Sequence, residues 1–287
     1  MTNVVIIAHH ERAEAAALAR QAADWLAGRG HAAWMPAADA AALGLNDLAA
    51  ERRADDADLA LSLGGDGTML RAVRFLDGAA VPLLGVNLGV LGYLTEVESH
   101  EMTNSLDRFT KGSEAGEWHL DERLMLDVVA RSSAGLPLGS WRVLNEAVVE
   151  KREPGHTVRL LVGIDGVPFT TYAADGLIVS TPTGSTAYSL SARGPIVSPR
   201  HRALLLTPVA PHMLFDRSLV LDPAEPIEIS VIGHREASVS VDGQPVATLV
   251  EGDVVKCSAS ASTARFVRFG ERHYHQILKA KFGLTDR

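Results

Sequence analysis

The chain has 287 residues, 47% hydrophobic and 22% charged, an ordinary globular composition with room for two domains. Its net charge is −8 and no basic block occurs, which argues against non-specific nucleic-acid binding but leaves room for a small anion held by a few amides and an arginine. A single cysteine, Cys257, permits no intrachain disulfide, no apolar stretch approaches the ~20 residues that cross a bilayer, and the start MTNVVIIAHH lacks the charge pattern of a signal peptide, so a cytoplasmic protein is expected.

In chain order, the apolar run over 3–8 predicts a buried strand and the Ala/Leu-rich stretch 11–29 a helix. A helix is also expected within 36–57, where Ala and Asp dominate. Then come a strand over 59–63, a helix over 68–76, a strand over 81–86 and a helix over 99–109. Strands alternating with helices imply a parallel sheet with right-handed crossovers. From about Trp118 the pattern shortens, and strands are expected over 124–131, 141–150, 157–164, 169–181, 227–232, 237–241 and 254–258. Asp165-Gly166 and Asp242-Gly243 are hairpin-turn dipeptides. The fold expected is an α/β nucleotide-binding domain with a parallel sheet, over 1–118, plus a mainly antiparallel β-sandwich-like domain over 119–265. The tail reads as a helix over 271–282 that packs back on the first domain, completing it from about 266 to 287.

Four motifs carry chemistry. Gly64-Gly65-Asp66-Gly67-Thr68 follows a strand and precedes a helix. Such a turn brings amides close to phosphate oxygens, and the helix N-terminus presents free N–H groups to an anion. A carboxylate there is electrostatically unfavourable unless it takes a proton from an attacking hydroxyl or holds a metal that bridges phosphates; the plain alternative is Asp66 as a helix cap. Arg71, one turn on, can reach a phosphate. The second motif, GVNLGVLGYL over 85–94, places three glycines at a strand's carboxyl end, where parallel sheets bind ligands; Tyr93 either stacks on a base or fills the core. In the third, Asn145 and Glu146 point to opposite faces of a regular strand and need a strand end or bulge to act together on ribose hydroxyls; otherwise they are a solvated pair. The fourth, DGLIVSTPTGSTAYSLS over 175–191, runs from an apolar strand into a hydroxyl-rich turn and a short helix. Ser185 or Thr183 is a candidate cap, Thr186, Ser189 and Ser191 offer neutral polar contacts, and Tyr188 adds a ring for stacking; a purely structural turn is the other reading.

With these motifs in order, the chain resembles the NAD kinase family over essentially its whole length. GGDGT alone is shared with lipid and sugar-phosphate kinases, whereas the three later motifs together are specific. The resemblance implies NAD bound in a cleft between the two domains, ATP or polyphosphate as phosphoryl donor, a divalent metal cation (Mg²⁺ foremost) and a homodimer or homotetramer. It makes Asp66 the general base for the 2′-hydroxyl of the adenosine ribose. It assigns Gly64, Gly65, Gly67, Thr68 and Arg71 to phosphate, and Asn145 and Glu146 to the ribose hydroxyls. Asp175 falls on the nicotinamide side, and Thr186, Ala187, Tyr188, Ser189, Leu190 and Ser191 line the dinucleotide. Gln244, His156, Tyr93, Gly67 and Arg71 are further NAD contacts. Two departures stand out: Tyr93 replaces the usual Phe, and Ala173 stands where some relatives carry an arginine, which leaves discrimination between NAD and NADH open. The rival readings are a GGDGT-type lipid kinase, which has no use for the STPTGSTAYSLS strip, and a non-catalytic NADP sensor, which has no use for Asp66.

Overall fold

The computed structural model describes residues 1–89, 92–271 and 273–284. Val90 and Leu91 of the second motif, Arg272 and the final three residues of the expected tail segment lie outside the described residues. The chain divides into two compact units, Met1–Glu122 with Ala264–Arg287, and Arg123–Thr263.

In the first unit the strands Ala32–Trp34, Asn3–Ala8, Leu59–Leu63 and Leu83–Asn87 lie side by side and parallel, in that order. Phe266 pairs with Leu83 to extend the sheet by the end of the long strand Val254–Arg268. The three central strands are mostly Val, Ile, Leu and Ala, broken only by Asn3, Ser62, Gly85 and Asn87, because both their faces are covered. Helix Ala13–Ala27 buries Ala15, Leu18, Ala19, Ala22, Ala23 and Leu26, one face at helical spacing. The helix expected within 36–57 is only Ala37–Leu43, ended by Gly44 at φ 69°, with 3₁₀ turns Asn46–Leu48 and Ala54–Asp56 beyond it. The tail helix Tyr274–Lys281 belongs to this unit and places the Lys281 ammonium 5.5 Å from the Tyr93 ring centroid.

The second unit is a pair of sheets around one core. One sheet runs Leu219–Leu221, Leu204–Val209, Gly176–Ser180, Glu146–Lys151, Ala237–Val241, Gln244–Leu249, all antiparallel. The other includes Val167–Ala174, Val158–Ile164, Ile227–Val231 and the start of Val254–Arg268, also antiparallel. Val128, Val149, Leu160, Tyr172, Leu177, Leu206, Ile229 and Val239 share the core. Asp165 (φ 50°) and Asp242 (φ 44°), each followed by a left-handed glycine, form the two hairpin turns. Two expected strands are in fact four. The stretch 141–150 splits into Pro137–Val143 and Glu146–Lys151, and 169–181 into Val167–Ala174 and Gly176–Ser180. In both cases the chain leaves one sheet for the other at a polar residue, Asn145 or Asp175. The strand expected over 254–258 continues to Arg268. Among the described residues no helix is long and apolar enough to cross a membrane.

Candidate functional site

In the first unit, strand Leu59–Leu63 delivers Gly64 and Gly65 to the head of helix Asp66–Leu76. A side chain at Gly64 would meet Thr68 Oγ1 at 2.1 Å, so Gly64 and the buried Thr68 close the turn from within, while Gly65 and Gly67 face open space. Gly65, not Asp66, is the N-cap, and Asp66 is the first helical residue. Its carboxylate reaches across to the second motif and accepts the N–H groups of Tyr93 (2.9 Å) and Leu94 (3.0 Å). Gly92 has to be glycine here: a Cβ would stand 2.0 Å from Asp66 Oδ1. The Tyr93 phenol is pushed up by burial and by the Asp66 charge.

Arg71 donates to Asp39 (2.6 Å) and to the Ala8 carbonyl (3.2 Å), and lies 2.7 Å from His10 Nε2, which is itself 3.0 Å from Asp39. Arg12 donates to the Leu88 carbonyl. A cleft of about 390 Å³ opens between these groups and the glycine turn, lined by His9, His10, Glu11, Arg12, Gly65, Gly67, Thr68 and Arg71. It is a polar hollow with two guanidiniums fixed by their own partners, so an anion entering it meets donors already oriented.

In the second unit, the Asp242 carboxylate accepts three consecutive backbone N–H groups, from Leu144 (3.0 Å), Asn145 (2.8 Å) and Glu146 (3.2 Å). Thr181 ties the same turn down from the fourth motif. Its hydroxyl donates to the Leu144 carbonyl (2.6 Å) and accepts the Gly184 N–H (3.1 Å), and its own N–H donates to the Asn145 carbonyl (2.9 Å). The strand end that an Asn-Glu pair requires is thus present. Glu146 is 6% exposed, and its Oε2 has no hydrogen-bond partner. Burial, then the neighbouring Asp242 charge, push its carboxyl up to about 8, against a smaller opposing effect of the Tyr188 N–H.

The rest of the strip divides into framework and surface. Ser185 accepts the Val197 N–H (3.0 Å), Ser189 bonds Thr207 (3.2 Å) and Thr186 donates to the Thr183 carbonyl (3.3 Å), so these hydroxyls build the turn. Thr183 is the N-cap of the short helical segment, but its side chain makes no cap bond, and the Thr181 hydroxyl takes the Gly184 N–H instead. Tyr188 and Ser191 are exposed; Ala187 and Leu190 are half-buried. Burial first, then Glu150, Asp175 and Glu146, push the Tyr188 phenol up. Asp175 is paired with Lys151 at 2.7 Å. His156 sits exposed on a turn and Gln244 exposed beside the Asp242-Gly243 hairpin. Sequence reading missed His9, His10, Arg12, Asp39 and Asp242. The cluster His-His-Glu-Arg just past the first strand's carboxyl end was the signal for the first three.

A glycine turn, a fixed carboxylate and oriented cations beside them are the working parts of a phosphotransferase. Residues 4–114 match the family model "ATP-NAD kinase N-terminal domain" and residues 144–269 "ATP-NAD kinase C-terminal domain". The NAD kinase of Heliobacterium modesticaldum is 41% identical over 283 residues, 98% of either chain, and that of Syntrophotalea carbinolica 36% over 290 residues, the full length of both. The chain belongs to the NAD kinase family. Its fold is shared by yeast NADH kinase complexed with NADH (TM-score 0.83, 24% identity, covering 100% of this chain and 89% of that one). An NAD kinase from Archaeoglobus fulgidus in complex with ATP shares it too (TM-score 0.72, 23% identity, 99% of each).

Proposed function

We propose that this chain phosphorylates the 2′-hydroxyl of the adenosine ribose of NAD, with ATP or polyphosphate as donor. The observation that carries the reading is the Asp66 carboxylate, held by two backbone amides at the head of a phosphate-type turn. Asp66 accepts the proton of the attacking hydroxyl. The open amides around Gly65 and Gly67, with Arg12 and Arg71, take up the donor's phosphate charge. Asn145 and Glu146 hold ribose hydroxyls, and Tyr188, Ser191, Ala187, Leu190, Asp175, Gln244, Tyr93 and His156 bear on the dinucleotide. Positioning supplies most of the acceleration, since phosphoryl transfer asks little covalent chemistry of a protein.

Among the described residues no three His, Cys, Asp or Glu side chains gather into a cage for a metal ion. A divalent cation, Mg²⁺ foremost, would meet the Asp66 carboxylate at the head of the glycine turn and would offset charge on the donor's phosphates. A cytoplasmic setting is supported by the single, buried, unpaired Cys257. A homo-oligomer is supported by apolar side chains left exposed in the second unit, Leu214, Phe215 and Val220.

The test is Asp66→Asn with ATP, Mg²⁺ and NAD. The variant should stay folded and lose about 10²–10⁴-fold in kcat, the span of a lost general base. Near wild-type turnover would make Asp66 a purely structural link between the two loops.

A further inference from the structure

The two amides that hold Asp66 belong to a segment which is itself gripped from behind. Leu94 gives its N–H to Asp66, and its carbonyl accepts from the Arg268 guanidinium at 3.1 Å. Arg268 ends the long strand Val254–Arg268 and is 1% exposed, first among the largest fully buried side chains. It pairs with Glu96 at 2.8 Å and Asp121 at 3.4 Å and lies over the Phe266 ring. Glu96 uses its other oxygen to accept the Phe269 N–H (3.1 Å), and its own N–H donates to the Gly85 carbonyl (2.9 Å). Residues 94–96 are therefore fastened at both ends to strands of the first unit. The Tyr93 and Leu94 amides at the start of this fastened segment both donate to Asp66.

A buried ion pair is a poor device for stability, because desolvating two charges costs about what their attraction returns, and apolar replacements often do as well. What such a pair does supply is a fixed geometry. Here that geometry ends on the carboxylate at the head of the glycine turn. We propose that Arg268, with Glu96, is a positioning residue for Asp66: it sets the loop whose amides aim the carboxylate. This rests on Asp66 being the base, and it assigns Arg268 no contact with either substrate.

The experiment is a cycle of Arg268→Lys, Asp66→Asn and the double variant, with Glu96→Gln as a second single variant that keeps the shape of the clamp. Each is confirmed folded by circular dichroism and assayed with ATP, Mg²⁺ and NAD. Lysine retains the charge but cannot reach the Leu94 carbonyl and Glu96 with the same planar fork. Arg268→Lys, and Glu96→Gln to a lesser degree, should lower kcat about 10- to 100-fold, the scale of an ångström-sized misplacement, with KM for both substrates within about threefold. In the Asp66→Asn background the same change should have almost no further effect, because the group it positions is gone. Unchanged kcat in folded Arg268→Lys and Glu96→Gln, a rise in KM alone, or an equal further loss in the double variant would overturn the proposal. An active Asp66→Asn protein would instead sink the base itself, a separate and visible failure. Should Arg268→Lys not fold, Glu96→Gln and its double variant with Asp66→Asn decide the matter alone.

Discussion

Glu146→Gln should make the protein more stable near neutral pH, and the gain should grow as pH rises. The carboxyl goes from an ordinary 4.5 to about 8 on burial beside Asp242. A raised carboxyl favours the protonated folded state: its stabilising effect is complete below pH 4.5 and is lost progressively as pH climbs to about 8. The whole gap corresponds to about 5 kcal/mol, and at pH 7 the cost already incurred is about 3 kcal/mol. Glutamine carries no charge to desolvate, and its amide can donate toward Asp242. Urea unfolding of the wild type and the variant from pH 5 to 8, read as a difference so that every shared titration cancels, should show the gap widening by about 4 kcal/mol. Curves that run parallel within about 1 kcal/mol would refute the account, meaning that Glu146 is solvated in solution. Ribose hydroxyls donating to this carboxylate favour its ionised form, so NAD affinity should rise across the same interval and the rise should vanish in Glu146→Gln.

Gly92→Ala drives a methyl group into Asp66 and should cut kcat by about 10²-fold or more while the protein still folds; a change of only a fewfold would show that the carboxylate can work from elsewhere. Tyr188→Ala, measured by NAD titration in the inactive Asp66→Asn background, should weaken binding by about 0.5–1.5 kcal/mol beyond lost area if the exposed ring stacks on the dinucleotide. Equal NAD affinity would move the dinucleotide off this strip. Cys257 is fully buried and its thiol is pushed up to about 12, so an aromatic disulfide reagent should leave it untouched in the folded protein and label it in denaturant. Rapid labelling of the native protein would contradict the packing described.

Local patterns made much of this fold readable. The strands Asn3–Ala8 and Leu59–Leu63 are short apolar runs bounded by turn signals, and Asp-Gly dipeptides mark both hairpins. The breaks at Asn145 and Asp175 were not legible, because hydrophobic character continues across them and only tertiary context tells which sheet each half joins. The GGDGT segment was legible as a glycine turn from strand to helix, yet the destination of the Asp66 carboxylate was not. Cap and cross-loop anchor look identical in a sequence, and the partners sit 27 and 28 residues away. Asp242 read only as a turn residue. Arg268 carried no signal at all, since its partner Glu96 is 172 residues distant. Groups that touch a ligand tend to sit in motifs. Groups that aim them act across gaps no local window spans.

The three amides gathered by Asp242 bear on the entropy of binding. A turn between two strands ordinarily samples several conformations, and a ligand that needs one of them must bear the cost of ordering, about 1–2 kcal/mol for each residue immobilised. Here a carboxylate from a neighbouring hairpin and the Thr181 hydroxyl have already selected the conformer. That ordering was met when the chain folded. On the proposed function, the Asn145–Glu146 turn would meet the ribose as a rigid template, with its interaction energy left for discrimination rather than for taming a loop.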